Sequence, residues 1–357
     1  MSQSKFLMMT RQNKKPFAVI PFSASGIAPQ DLPESGFGAG LWLLLTGTAT
    51  ATAAATVAPY PPNPWSLVKN LRCYSTDGTE LYQTSGWENY IYQKTLRTAF
   101  DPAQSTLINF NPSNAVQTPQ SRYFSPLVNF AGAGSQTFRC MFHIPFTWGR
   151  NWQQGLILLQ NTASRYTLEV TWGGVSDLFS VGAANVTLSN TQITPILEFA
   201  SIPNDGDALP DIAFLKQVKS QVFPITATGT TPYLAPTGNA YTKLISVFEN
   251  NGAPMDMSKI TQITYNYSQT QFPYVENPDQ MLWDNRYNYG GDLPAGVYSK
   301  DFSLGNGFPE IPTFRDVINT ARVTNFEQDF TLDSTLVLTN AVVRQVREQL
   351  LPPRRTS

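Results

Sequence analysis

The side chains best suited to catalysis or metal binding are few in this sequence and form no recognisable site. His143 is the only histidine, so a metal site with two histidine ligands is excluded and a Ser-His-Asp triad would depend on this single residue. It alternates with Phe142 and Ile144 in a strand-like pattern that places it on the outer face. Cys73 and Cys140 form no Cys-x-x-Cys pair. We therefore predict no catalytic residue, no metal site and no bound cofactor.

Motifs that bind phosphate or hydrolyse sugars give no stronger signal. Gly36, Gly38 and Gly40 are spaced as in a dinucleotide-binding loop, but β-like sequence follows them where that motif requires a helix. The sequence contains no Gly-Lys-Ser/Thr phosphate loop. Because two carboxylates suffice for a glycoside hydrolase, the 25 acidic residues leave that enzyme class open as an alternative.

Several tryptophans suggest a second alternative, a receptor- or carbohydrate-binding module. Exposed indole rings can form a platform for sugars, although a tryptophan in an alternating strand more often packs in a core. The tryptophans considered for this role are Trp42, Trp87, Trp148, Trp152 and Trp172. The sequence alone does not decide between a platform and a core.

The low charge of the chain favours a protein built to contact other proteins. Charged residues make up 14% of the 357 residues, whereas roughly 25% is usual in soluble domains. The formal net charge is -1, so no basic face for sequence-specific nucleic-acid binding is expected. Aromatic residues make up 12%, which excludes a disordered chain.

Positive charge is concentrated at the two ends of the chain. We expect residues 1–15 to form a basic N-terminal arm and residues 346–357 a basic C-terminal tail. Anionic lipid and acidic protein surfaces attract such clusters, although charge runs are often only solvated. The residues expected to contact a membrane or a neighbouring subunit are Lys5, Arg11, Lys14, Lys15, Arg344, Arg347, Arg354 and Arg355.

Most of the chain has the alternation and turn residues of β-strands. The Asp77-Gly78 dipeptide predicts a hairpin within residues 67–94, and Tyr90 and Tyr92 fit its later strand. Residues 37–58 carry no charge and are long enough to cross a bilayer, but their threonines and glycines favour a strand instead. The hairpin and this long strand indicate an antiparallel β protein.

Three short helices are expected in the connections. Residues 151–160 have helical spacing, and Thr313 is a candidate N-cap for a helix reaching Ala321. Asn277 precedes a first-turn proline and an acid, so a helix should run from there to about residue 289 and end at Gly290. The final residues 342–350 fit either a strand or a helix.

Composition also suggests where the chain divides and in which compartment it folds. Residues 224–240 are rich in Thr, Pro and Gly and free of charge, which predicts a linker between domains at 16–223 and 241–345. Two cysteines in apolar strands predict buried free thiols and assembly in a reducing compartment. The N-terminus has no sustained apolar run, so we expect no signal peptide.

Three short motifs, in order along the chain, resemble those of one protein family. They are Thr-Ser-Gly-Trp within residues 81–92, the Val-Phe-Glu-Asn-Asn-Gly turn within residues 245–252, and Pro-Ala-Gly-Val-Tyr at residues 294–298. The chain resembles the tectivirus-type double jelly-roll major capsid proteins of membrane-containing tailless icosahedral phages. The resemblance covers roughly residues 40–345.

The resemblance implies an all-β fold, a double jelly roll of two eight-stranded antiparallel sandwiches with short helices in the connections. It further implies a structural protein without enzymatic activity, located in the virion shell. Its expected partners are two further copies in a trimer, neighbouring trimers, an internal membrane reached by the basic termini, and minor capsid or vertex proteins. The receptor-binding module remains the alternative function.

Overall fold

The computed structural model describes residues 2–52, 56–96, 124–148, 155–161, 164–210, 215–267, 274–302, 317–323 and 325–351. The chain forms two compact units. Unit 1 comprises Met1–Lys94, Phe100–Pro145 and Ile157–Leu209, and unit 2 comprises Thr95–Ala99, Phe146–Leu156 and Pro210–Ser357.

The described residues of unit 1 form mainly strands, together with two α-helices. The helices are α1 (Ser2–Met9) and α2 (Gly86–Lys94). The strands are β1 (Gln12–Pro16), β2 (Ile20–Pro21), β3 (Ile27–Asp31), β4 (Phe37–Ala51), β5 (Ala58–Pro59), β6 (Val68–Ser75), β7 (Glu80–Thr84), β8 (Gly134–Pro145), β9 (Ile157–Leu158), β10 (Tyr166–Trp172), β11 (Phe179–Val181) and β12 (Val186–Ala200).

Two antiparallel sheets make up most of unit 1. One has the strand order β1-β12-β4-β8, with β2 added to β12 and β9 added to β4; the other has the order β7-β6-β10-β3. Strands β5 and β11 form a small separate ladder. From Leu41 to Ala51, β4 alternates buried and half-buried residues, so one face of this central strand belongs to the core. The predicted long strand is thus confirmed over Phe37–Ala51.

The predicted hairpin is present, but its continuation is a helix. Strands β6 and β7 pair through the turn at Asp77-Gly78, where Gly78 has a φ of 82°. Tyr90 and Tyr92 lie in α2, so placing them in a strand was wrong. Ser85 and Glu88 form a capping box, because Glu88 accepts from the Ser85 N–H at 2.7 Å and Ser85 Oγ accepts from the Glu88 N–H at 3.2 Å.

The N-terminal residues are part of unit 1 rather than a separate arm. Phe6 is buried, and its ring meets that of Phe37 edge-on at 5.9 Å. Strand β1 pairs with β12 over its whole length, from Gln12 opposite Ala200 to Pro16 opposite Ile196. An apolar anchor and an edge strand therefore fix this segment.

Unit 2 has the same kind of architecture. Its described residues include the α-helix α3 (Pro278–Tyr289). Its strands are β13 (Leu215–Pro224), β14 (Gly229–Leu234), β15 (Ala240–Asn250), β16 (Ala253–Pro254), β17 (Ile260–Tyr267), β18 (Tyr274–Glu276), β19 (Val297–Asp301), β20 (Ile318–Asn319), β21 (Phe326–Leu332) and β22 (Val342–Leu351).

The strands of unit 2 also form two antiparallel sheets. One has the order β16-β15-β22-β13, with β19 and β20 added to β15, and the other has the order β14-β21-β17-β18. Apolar side chains of both sheets share one core. Within it the rings of Phe248 and Phe330 meet at 90° with centroids 4.9 Å apart. Unit 2 is therefore a sandwich of two sheets.

Helix α3 has the boundaries that its sequence predicts. The Asn277 side chain accepts from the N–H groups of Asp279 and Gln280, and Pro278 is the first helical residue. Gly290 ends the helix in the left-handed conformation with a φ of 72°. Both end signals are local, so this helix could be predicted from the sequence.

Other predicted elements need correction. Among the described residues of 151–160, Ile157 and Leu158 form a strand rather than a helix. The helix expected from Thr313 begins outside the described residues, and residues 318–322 form a short strand and a 3₁₀ turn. The chain end through Leu351 is strand β22.

The division between the units also differs from the expected linker. Residues 224–240 contain β14, which pairs with β21 inside unit 2, and unit 2 already begins at Pro210 in this part of the chain. The uncharged composition of residues 224–240 reflects turns around an edge strand. No helix among the described residues is long and apolar enough to cross a membrane.

Candidate interaction surfaces

The residues that could do chemistry are held in packed positions. The His143 ring is half-buried and stacks on Trp42 with centroids 4.0 Å apart. Cys73 and Cys140 are buried free thiols, as predicted. Burial raises the pKa of the Cys73 thiol to about 12 and the pKa of Cys140 well above its ordinary value, so neither forms a reactive thiolate. The described residues contain no cluster of three or more potential metal ligands.

Buried charges in unit 2 have partners inside the unit. Lys243 lies 3.4 Å from Asp301 on the neighbouring strand and donates to the Thr95 carbonyl at 2.8 Å. Burial opposes the charge of Lys243, but Asp301 and other acidic neighbours hold its pKa above the ordinary value. Burial lowers the pKa of Lys216 to about 8, and this amine donates to the Thr147 carbonyl at 2.6 Å. These two lysines hold the backbone at Thr95 and at Thr147 against the sheet.

The basic residues near the N-terminus are exposed, as a contact surface requires. Lys5, Arg11 and Lys15 are all exposed. Lys14 is exposed too, but its amine pairs with Glu198 at 2.8 Å and lies 5.9 Å from the centre of the Trp42 ring. Four of the expected residues thus lie exposed in one segment, on α1, on β1 and in the connection between them.

Two of the basic residues near the C-terminus lie in strand β22 rather than in a tail. Arg344 pairs with Glu249 at 2.9 Å across neighbouring strands. Arg347 is only 6% exposed, because β22 lies inside its sheet between β13 and β15. Arg347 therefore cannot reach a membrane or a neighbouring subunit, which corrects the prediction for this residue. Arg354 and Arg355 lie outside the described residues.

The described tryptophans do not form a sugar platform, which was the alternative to core packing. Trp148 and Trp172 are buried, and Trp42 is half-buried against His143. Trp87 stacks on Tyr90 of the same helix. Trp152 lies outside the described residues. Core packing, the alternative stated for strand tryptophans, describes the observed positions better.

One exposed aromatic surface was missed by the sequence analysis. Trp283 is 74% exposed and Tyr287 is 86% exposed on α3. They are four residues apart and therefore share one face of the helix. Met281 and Tyr289 are buried, so the opposite face attaches α3 to unit 2. The helical spacing of the sequence indicates this surface, because Trp283 and Tyr287 lie on a different face of the helix from Met281 and Tyr289.

Several solved structures are similar to this chain over almost its whole length. The STIV MCP matches with a TM-score of 0.70 and 14% identity, covering 96% of this chain and 97% of that chain. The PBCV-1 virus capsid protein matches with a TM-score of 0.64 and 11% identity over 96% and 93%. The major capsid protein P2 of bacteriophage PM2 matches with a TM-score of 0.54 and 11% identity over 97% and 100%.

The chain is a double jelly roll. This confirms the predicted fold class, since the matches span both units and these neighbours are double jelly-roll major capsid proteins. No family model matches the sequence. No curated protein matches it either. At such low identity the likeness is one of fold, and it is carried by the order and pairing of strands.

Two of the motifs that carried the sequence resemblance occupy tightly constrained backbone. A Cβ on Gly86 would lie 2.3 Å from the Trp65 carbonyl oxygen. A Cβ on Gly296 would lie 2.7 Å from the Phe248 carbonyl oxygen, and the φ of Gly296 is 74°. Only glycine fits either position without displacement of backbone. Any larger residue at either position would therefore displace backbone in this fold.

Proposed function

We propose that this chain is the major capsid protein of an icosahedral bacteriophage whose shell encloses a lipid membrane. The observation that supports the proposal most is the double jelly-roll fold shared with three viral capsid proteins over nearly the whole chain. The protein acts by forming a shell and has no catalytic reaction to perform. It is located in the virion after assembly in the host cytoplasm.

The assembly unit is a trimer with a six-sided outline. Two similar sandwiches per chain give three copies six similar flanks, and such a trimer can tile a lattice in which every unit has six neighbours. The 14% charge content supports this arrangement, because uncharged flanks lose little solvation when they meet. Neighbouring trimers and minor capsid or vertex proteins are the further partners.

The basic N-terminal residues provide a contact for an anionic surface. Lys5, Arg11 and Lys15 are exposed beside Met8, which is 83% exposed. Two surfaces in such a shell suit this combination: lipid head groups of an internal membrane and acidic patches of a neighbouring subunit. The expectation for Arg354 and Arg355 is retained as part of this proposal.

Sedimentation and imaging test the proposal. Analytical ultracentrifugation of the full chain should give a trimer, and negative-stain images should show particles with a six-sided outline. A stable monomer at high protein concentration would contradict the capsid function. Flotation with anionic vesicles distinguishes the two contacts. A membrane contact predicts vesicle binding that is lost when Lys5, Arg11 and Lys15 are changed to Glu but kept in Lys69→Glu, at an exposed site elsewhere in unit 1, whereas a contact with a neighbouring subunit predicts no flotation.

A further inference from the structure

The exposed face of α3 has the properties of an unfilled protein contact. Trp283 and Tyr287 present two large rings to solvent on one side of the helix. The helix beneath them is firmly held, since Asn277 caps its start and Tyr289 donates to or accepts from Ser299 at 2.9 Å. Aromatic side chains on a rigid support are the residues that most often dominate binding energy in protein interfaces. We call Trp283, Tyr287 and the exposed acids Asp279 and Asp284 the aromatic face of α3.

In unit 1 the corresponding helix is α2, and its aromatic side chains are covered. Trp65 stacks on Tyr90 with centroids 4.1 Å apart and on Phe124 at 4.9 Å, so the aromatic side of α2 is covered by the chain itself. The rings of α3 have no such cover among the described residues. These rings are therefore a surface that a second molecule can cover.

Charge indicates what kind of surface that second molecule presents. Asp279 and Asp284 are exposed beside the two rings. The nearby Arg286 is directed to Asp292, with its Nε 3.7 Å from the carboxylate. A complementary surface would combine positive charge with apolar atoms, because cations bind well to carboxylates and to the faces of Trp and Tyr rings.

The N-terminal segment, residues 5–15, has this combination. Leu7, Met8 and Met9 are exposed apolar residues. The exposed cations of the same segment are Lys5, Arg11, Lys14 and Lys15. Methionine sulfur atoms make favourable contacts with aromatic rings. Each surface therefore supplies the charge and the apolar contact that the other lacks.

We infer that the N-terminal segment of a second copy of this chain docks on the aromatic face of α3. The two surfaces belong to different units, so the contact is head-to-tail, and three such contacts can close into a ring. This inference rests on the proposed trimer and names the surfaces that join its subunits. Of the two contacts proposed above for the N-terminal cations, it selects the acidic surface of a neighbouring subunit.

Engineered cysteines test the contact directly. Two differently tagged variants, Met8→Cys and Tyr287→Cys, are co-expressed and oxidised. The native cysteines are buried with raised pKa values and give little background. The expected result is a disulfide between the two tags. The matched control pairs Met8→Cys with Val337→Cys, a site that is 78% exposed in unit 2, and should give no disulfide.

A second measurement does not depend on cross-linking. Trp283→Ala should raise the dissociation constant of the trimer about 30-fold, the effect typical of an interface hot spot, whereas Val337→Ala should leave it unchanged. The inference would be overturned if the trimer stayed intact, the specific disulfide did not form and the Trp283→Ala trimer had the same dissociation constant as the native one. The capsid function would then still stand. If the N-terminal segment of such a trimer bound vesicles, the partner of this segment would be lipid, which would also overturn the inference. A monomeric native chain would contradict both proposals.

Discussion

Helices α2 and α3 occupy similar positions in their units, since each follows a pair of antiparallel strands, but their surroundings differ. Seven of the nine residues of α2 are buried, compared with four of the twelve residues of α3. Asn89 and Gln93 of α2 also donate to the carbonyl groups of His143 and Met141 on the edge strand β8. Helix α2 therefore covers a sheet edge, which protects it from pairing with other chains.

The difference shows that one element can serve two purposes within the same fold. In α2 the aromatic side chains contribute to the fold of their own unit, because other parts of the chain pack on them. In α3 two comparable rings face solvent, and in the arrangement proposed above they serve assembly instead. The following predictions test this distinction, from the largest expected change in stability to the smallest.

Removal of Trp65 tests how far α2 depends on the ring that covers it. Trp65→Ala should lower the free energy of unfolding by about 3–5 kcal/mol, because the buried indole stacks on Tyr90 and Phe124. Denaturant titration followed by circular dichroism measures the change. Trp65→Phe should retain much of the stability. A loss below about 1 kcal/mol would show that the covering ring is not what secures α2.

Enlargement of Gly86 tests the close approach at the start of α2. Gly86→Ala should cost about 1–3 kcal/mol of unfolding free energy, because the new Cβ would lie 2.3 Å from the Trp65 carbonyl oxygen. Gly134→Ala is the matched control, since its Cβ would meet nothing within 4 Å. Equal stability of the two variants in denaturant titration would mean that α2 can shift away from Trp65 at little cost.

Loss of the cap tests whether α3 is held by its own local signals. Asn277→Ala should lower the unfolding free energy by about 1 kcal/mol, because the N–H groups of Asp279 and Gln280 lose their acceptor. Asn277→Asp keeps an acceptor oxygen and should restore the stability. Thermal unfolding of the three proteins gives the comparison. An alanine variant as stable as the native chain would indicate that packing alone sets the start of α3.

Truncation of Trp283 should have the smallest effect on folding. Since the side chain is 74% exposed, Trp283→Ala should change the unfolding free energy of the dissociated subunit by less than about 0.5 kcal/mol. Denaturant titration at protein concentrations below the dissociation constant measures this quantity. A loss comparable to that of Trp65→Ala would place Trp283 in the fold of its own unit and remove the difference between the two helices.

Much of the fold could be predicted because its signals are short in sequence. The β6–β7 turn needs Asp77-Gly78, and the start and end of α3 need Asn277 and Gly290. Alternation within β4 and β8 records which face each strand buries. The capping box of Ser85 and Glu88 was an equally local signal, and its recognition would have predicted α2 as a helix.

The contact surfaces were harder to predict because exposure depends on distant parts of the chain. Arg347 lies near the chain end, yet strand pairing with residues far away in sequence buries it. Lys5 and Arg11 kept the exposure expected of them, although Phe6 and β1 attach their segment to unit 1. Position along the chain was therefore a poor guide to accessibility.

The sequence by itself determined the strand-rich class, the main turns, the limits of α3 and, through the resemblance of three short motifs, the double jelly roll. Only the tertiary structure decided which charges are buried and which aromatic rings face solvent. The physical reason is the range of the interactions involved. Backbone preferences and caps act over a few residues, whereas burial requires partners such as Glu249 and Arg344, which are 95 residues apart.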